Sequence, residues 1–325
     1  MQMVALASQF RKRVRAADEL GVVGALLALS LLLALSTDSF LRADNLLDVA
    51  RQASDFGIMA VGMVFLLAMG EIDLSVGAIL TLVGIVTAMA LRAGIPVPAA
   101  FAIGVLTGAG CGFVNGMIAV LLRIPSIIVT LGTMSIFRGL SLVLSEAKPI
   151  ADFPKSGALF SLGVNGLWGV PTGVLVMISV CLAGHIALHH LPFGWRLQAI
   201  GSSPRAARFS GIAIARYRVL AMTLMGTVAG IAGITALTFL ESADPNVGLG
   251  SELLVIASAV IGGTALTGGS GSVIGAVLGA LIIAVIRNGL VHLGMSAYWG
   301  MTVTGAIIIA AVLVSTLFRR KDTRS

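Results

Sequence analysis

The sequence predicts an all-α, polytopic membrane protein of about ten transmembrane helices. Three observations carry that prediction: 58% of the 325 residues are hydrophobic, only 11% are charged, and apolar runs of near-crossing length recur along the chain. A soluble domain carries about 25% charged residues, and a disordered chain is poor in hydrophobic ones, so neither class fits. A single membrane-embedded domain over 1–325 is expected, with cytoplasmic tails at about 1–19 and 319–325 and a polar cytoplasmic loop at about 191–218.

The bilayer core takes about 20 apolar residues per helix, and cuts at charges, prolines and glycine clusters give the segments in order. The first, 20–36, follows Arg11, Lys12, Arg13 and Arg15. A signal peptide has a similar start, but its apolar region is about 7–15 residues and the run here is about 17, without a clear cleavage site, which favours an uncleaved helix. The second, 55–69, is short and runs into GEIDLSVGA at 70–78; the third, 74–91, begins inside that string. The fourth, 97–121, carries Gly104, Gly108 and Gly112 in the small-xxx-small spacing that lets helices approach closely. The fifth and sixth are 125–145 and 170–190, and the seventh is 219–240. The apolar stretch Leu253–Ile286 is too long for one typical crossing, and Gly268, Gly269 and Gly271 interrupt it. It divides into 253–266 and 273–290 around a break at 262–272. The last segment is 298–318.

With the N-terminus inside, Arg123, Arg196, Arg205, Arg208, Arg216, Arg218 and the Arg and Lys of both tails fall on the inner side. Arg42, Arg51, Arg92, Lys148, Lys155 and Arg287 fall outside, a bias that obeys the positive-inside rule with an even number of crossings. The net charge of +7 is thereby explained without nucleic acid. Cys111 and Cys181 lie in apolar runs and read as buried small side chains, and the four histidines show no metal-ligand spacing.

Broken helices are tolerated in a membrane where the freed backbone lines a cavity or is buried in protein, so the breaks at 70–78 and 262–272 mark a candidate pathway. SVGAIL at 75–80 faintly echoes SVIGAVLGAL at 272–281, but not at matching places in a five-plus-five division. Glu71 and Asp73 are costly in hydrocarbon. Asp73 or Ser75 serves either to cap the next helix or to act in gating. Arg138 needs a partner, for which Glu252 is the candidate, unless it snorkels to the surface. Asn115, Asn288 and Trp299 are pathway candidates, with interhelical hydrogen bonding as the alternative for the two amides.

The stretch 194–218 carries five arginines, and Ser202-Ser203-Pro204 is helix-entry chemistry for a short run at about 205–210. That helix is either an interfacial anchor or a docking knob for a cytosolic motor. No Gly-Lys-Ser/Thr occurs, so the chain has no P-loop of its own, and any ATP is handled by a partner.

These residues resemble the permease subunits of ABC importers of the ribose, xylose, arabinose and galactoside type. The likeness runs from AVGMVFLLAMGEIDLSVGA (60–78) through VTLGTMSIFRGLSLVLS (129–145) and AIGSSPRAARFSGI (199–212) to VIGGTALTGGSGSVIGAVLGALI (260–282). It implies a bacterial inner-membrane subunit that is not itself an enzyme and binds no cofactor. It also implies an ABC ATPase holding ATP-Mg, a periplasmic sugar-binding protein, a second permease copy or a related permease, and membrane lipid as partners. Gly194, Arg196, Gly201, Pro204, Ala207, Arg208, Ser210 and Gly211 fall in the stretch similar to the family's ATPase-coupling loop. The chain departs from that pattern at Arg205, where an acidic residue is usual, and at Glu71, where Gly is usual. The rival reading is an ion-coupled sugar carrier in which Glu71 or Asp73 binds the proton or sodium.

Overall fold

The computed structural model describes residues 2–296 together with 299, 300, 302, 303, 305, 306 and 309. Among them are twelve α-helices and no β-strand. In order they are α1 (Gln2–Ser36), α2 (Ala43–Met69), α3 (Val76–Arg92), α4 (Val97–Leu121), α5 (Ser126–Leu144) and α6 (Ala158–Asn165). There follow α7 (Thr172–His189), α8 (Pro192–Ser202), α9 (Pro204–Phe209), α10 (Ile214–Leu240), α11 (Ser251–Ile261) and α12 (Val273–His292). Seven of these, α1, α2, α4, α5, α7, α10 and α12, contain a stretch long and apolar enough to cross a membrane, while α3 and α11 are apolar but shorter. Most of the expected tenth segment, 298–318, and all of the tail at 319–325 lie outside the described residues.

The sequence boundaries hold closely for α4, α5 and α7 and fail in four places. Helix α1 begins at residue 2 and continues straight through the basic stretch. Helix α2 is not short: it spans 27 residues, because Asn45, Asp48, Arg51 and Gln52, which read as loop, belong to its first half. Helix α10 starts five residues early and takes in Arg216 and Arg218. The first break narrows to 70–75, since Val76 is already helical.

The two ends of the molecule are distinguished by their contacts. At one end α8 packs on the last turn of α2 and on the 262–272 segment, where Gly269 N–H donates to Ala68 C=O at 2.9 Å and Ser272 Oγ to Glu19 at 2.6 Å. At the other end Arg92 pairs with Asp152 at 3.2 Å, Ile150 bridges to Ala243, and Ser39 meets His292 at 2.9 Å. The second half of α2 is apolar all round and enclosed on every side, with Ile58 to Met69 each at most 4% exposed, as expected of a central helix. The exposed Leu27, Leu31 and Leu35 of α1, Ile128, Ile136 and Val143 of α5 and Leu182 of α7 form the apolar outside.

Helices α4 and α10 approach closely because their contact is made of glycines. A Cβ on Gly108 would lie 2.4 Å from Gly226 C=O, and one on Gly112 would lie 2.1 Å from Met222 C=O. The spacing of Gly104, Gly108 and Gly112 was thus a packing signal, and Gly116 against Val219 extends it.

Helices α3 and α11 both begin in the interior. Leu80 and Val83 of α3 pack on Gly233, which at 1.5 Å per residue lies about 28 Å along α10 from the α8–α9 end. The two starts meet where Gly248 N–H donates to Thr81 Oγ1 at 3.1 Å. From there α3 runs away from the α8–α9 end, whereas α11 runs toward it and packs Gly262 on Gly275 at the start of α12. The arrangement is inverted: α2 and α10, each of 27 residues, both end on a left-handed residue, Gly70 or Glu241, and the chain then re-enters before a shorter helix starts. The echo between 75–80 and 272–281 therefore pairs the wrong elements, since α3 corresponds to α11 and not to α12.

Candidate functional site

The break at 70–75 is built around a buried carboxylate. Gly70 ends α2 at φ +82° and its N–H caps Leu67 C=O at 2.8 Å, a left-handed conformation glycine adopts without Cβ strain. Asp73 and Ser75 are fully buried. Asp73 Oδ1 accepts from Ser75 N–H at 2.7 Å and from Ser75 Oγ at 2.6 Å. Asn115, buried on α4, donates through Nδ2 to Ser75 Oγ at 2.8 Å and toward Asp73 Oδ2 at 3.5 Å. Thr130 of α5 accepts from Leu74 N–H at 3.1 Å. These bonds tie the broken strand of chain to α4 and α5. Asp73 thus occupies the start of α3, where the unpaired N–H groups and the helix dipole favour negative charge. Asn115 Oδ1 has no hydrogen-bond partner among the described residues.

Glu71, two residues earlier, is paired with Arg218 at the start of α10: Arg218 Nε donates to Glu71 Oε1 at 2.7 Å. The pair is mostly desolvated, with side chains 12% and 28% exposed. Beside it Arg196 Nη1 donates to the Tyr217 hydroxyl, and Phe193 of α8 lies between Tyr217 and Phe65, ring centroids 6.0 and 5.9 Å away. Sequence reasoning missed Arg218, counting it only as an inner-side cation. The signal was present, because a carboxylate that is costly in hydrocarbon needs a counter-charge.

The residues of the coupling-loop stretch sort into two groups. Gly194, Gly201 and Ala207 face the protein. A Cβ on Gly194 would sit 2.2 Å from Leu188 C=O, and one on Gly201 would sit 2.0 Å from Ala68 C=O and 2.6 Å from Gly269 N. Ala207 is 4% exposed. Gly211, at φ +77°, ends the α9 turn. Pro204, Arg205, Arg208, Phe209 and Ser210 face outward, so α9 presents cations around an aromatic ring, with Arg205 6.0 Å from the centre of Phe209. As the sequence indicated, Ser203 caps α9 by accepting from Ala206 N–H at 3.2 Å. Arg196 is exposed and donates through Nη1 to the Tyr217 hydroxyl.

Three other expectations come out differently. Arg138 does not pair with Glu252; its Nη2 donates to Asn246 Oδ1 at 3.2 Å on the re-entrant segment. Glu252 lies in the first turn of α11, and its Oε2 is 3.0 Å from the Cβ position of Gly77. There it lies beside the start of α3 and in the first turn of α11, where helix N-termini favour negative charge. Asn288 is not in the central region. It exchanges hydrogen bonds with Asn45 at 2.8 and 3.2 Å, and His292 adds a third contact to Asn45 at 2.9 Å, so it joins α12 to α2 as interhelical glue. Trp299 is 52% exposed and lies away from the break.

The polar start of α2 also lines a cavity of about 130 Å³ with Asp48, Arg51, Asp55, Asn165, Thr172 and Thr235. Among the described residues no three His, Cys, Asp or Glu are placed to hold a metal ion, and Cys111 and Cys181 are free thiols. At one end of the molecule α8 thus touches the last turn of α2, just before the first break, and the second break itself.

The family model described as "Branched-chain amino acid transport system / permease component" matches residues 45–312. The chain is 38% identical to the ribose import permease protein RbsC of Escherichia coli (strain K12) over 292 residues, covering 89% of this chain and 91% of that one. It is 36% identical to the ribose import permease protein RbsC of Bacillus subtilis (strain 168), covering 91% and 92%. It is also 36% identical to the D-allose transport system permease protein AlsC of Escherichia coli (strain K12), covering 88% and 87%. No solved structure matches the chain.

Proposed function

The chain belongs to the transport-system permease family described above, and we propose that it is the membrane subunit of an ABC importer that carries a monosaccharide into the cytoplasm. A partner ATPase holds ATP-Mg and binds the α8–α9 surface, which would place that end and both chain termini in the cytoplasm. A periplasmic binding protein delivers the sugar at the opposite end, and a second permease copy or a related permease completes the path. The relatives' names point to ribose and allose, both monosaccharides.

One observation carries the reading. Gly201, in the helix next to the exposed arginines, makes backbone contact with the end of α2 and with the 262–272 break at once. A push on α8 therefore meets the second interruption directly and the helix that leads into the first at Ala68, just before Gly70, without an intervening flexible side chain. The rival, in which Asp73 binds a coupling ion, is less well supported, because Asp73 Oδ1 already accepts two hydrogen bonds from Ser75.

The experiment is purification of the tagged chain from native membranes, identification of co-purifying proteins, and uptake of D-ribose and D-allose by proteoliposomes. ATP-dependent uptake that requires a co-purified ATPase supports the proposal. Uptake by the chain alone under a proton or sodium gradient would sink it in favour of the ion-coupled carrier.

A further inference from the structure

The departure at Glu71 and its partner 147 residues away lead to an inference that rests on the ATP-driven reading and goes beyond it. We infer that the Glu71–Arg218 ion pair is the strut that transmits movement of the docking helices to the Asp73 break, setting how much sugar moves per ATP.

The route is continuous. On the docking side, Phe193 and Arg196 of α8 hold Tyr217 by ring contact and hydrogen bond. Tyr217 immediately precedes Arg218 at the start of α10, and Arg218 grips Glu71 through Nε and Nη2. Glu71 is two residues from Asp73, whose bonds fix Ser75 and, through it, Asn115 of α4. Residues 71–73 are outside any helix but are not loose, since Glu71 N–H donates to Leu66 C=O at 2.9 Å and Leu74 N–H to Thr130 Oγ1 at 3.1 Å; the ion pair is what joins this bound segment to α10.

A second link runs from α8 to α2 through the Gly201 contact with Ala68 in the turn before Gly70, whereas the ion pair reaches the break from α10. A largely desolvated charge pair suits a strut, since each charge left alone there would be penalised. Truncating one partner therefore changes the mechanics and not only the fit. Glu71 and Arg218 act through the break and are positioning residues; they are not proposed to touch the sugar.

The test uses the full chain with its co-purified ATPase and binding protein in proteoliposomes, measuring D-ribose or D-allose transported per ATP hydrolysed. Glu71→Gln and Arg218→Gln are expected to assemble and hydrolyse ATP, but to move at least about tenfold less sugar per ATP. The double variant Glu71→Gln/Arg218→Gln should be no worse than either single, because residues acting as one unit are non-additive. Arg218→Lys, which keeps the charge, should retain most of the yield. Single variants with the wild-type yield, or losses that multiply in the double, would overturn the strut. So would failure of every variant, Arg218→Lys included, to assemble, which would make the pair a folding element. Ion-driven uptake by the wild-type chain alone would remove the ATP-driven reading and this inference together, whereas ATP-driven wild-type uptake with unaffected variants removes the strut alone.

Discussion

Gly201 and Ala68 meet backbone to backbone: a Cβ on Gly201 would stand 2.0 Å from Ala68 C=O. The contact ties a surface helix to the central helix of the molecule with no side chain between them. Neither partner can accommodate added volume without α8 moving.

Gly201→Ala should therefore lower stability by about 1–3 kcal/mol, the usual cost of overpacking a tight contact, and should impair transport more than folding. Thermal unfolding in detergent checks the first part, and uptake per assembled complex checks the second. An unchanged melting temperature would mean that α8 is free to shift.

The α4–α10 contact gives a sharper comparison within one helix. Gly112→Leu places its side chain where Met222 C=O already lies, and folded yield should collapse. Gly110, two residues away, has nothing within 4 Å of its Cβ position, so Gly110→Ala should be tolerated and gain up to about 1 kcal/mol from helix propensity. Monodispersity on size exclusion and melting temperature read both.

At the break, Asp73→Leu leaves Ser75 N–H and Oγ without their acceptor in a buried place, an expected loss of about 1–3 kcal/mol per unsatisfied group. Asp73→Asn keeps one oxygen to receive them and should retain more folded protein than Asp73→Leu. Equal melting temperatures for the two variants would show that capping is not what Asp73 contributes.

Arg208 is exposed on α9, so Arg208→Glu should leave the stability within about 0.5 kcal/mol of wild type. Recovery of the ATPase on the tagged chain should fall severalfold. Full recovery together with full uptake would show that α9 is not the docking element.

The sequence displayed the class, the helix cores and both breaks, because those depend on local apolar runs and glycine clusters. It hid what depends on pairing across the fold. Asn45, Asp48 and Arg51 read as loop because a polar helix start is recognised only once its partners are known, here Asn288 and His292 for Asn45 and the Phe239 ring, 3.3 Å from the Arg51 guanidinium, for Arg51. Arg218 was visible as a cation but not as the partner of Glu71, for the two are far apart in the chain. Arg138 was assigned Glu252 because opposite charges attract on paper; Asn246 sits nearer on the re-entrant segment, and Glu252 is held by two helix starts. The inverted relation of α2–α3 to α10–α11 left no usable mark in the letters, since it is a matter of backbone path.

At the centre of the molecule a Cβ added to Gly77 would lie 2.2 Å from Gly248 C=O, and one added to Gly248 would lie 2.0 Å from Gly77 C=O. Their separation is thus set by hard backbone contact and not by rotamers that adapt. The Thr81 hydroxyl, accepting from Gly248 N–H at 3.1 Å, pins the same point. The joint is therefore keyed: the two re-entrant segments meet in one register, and turning one against the other requires Thr81 to let go.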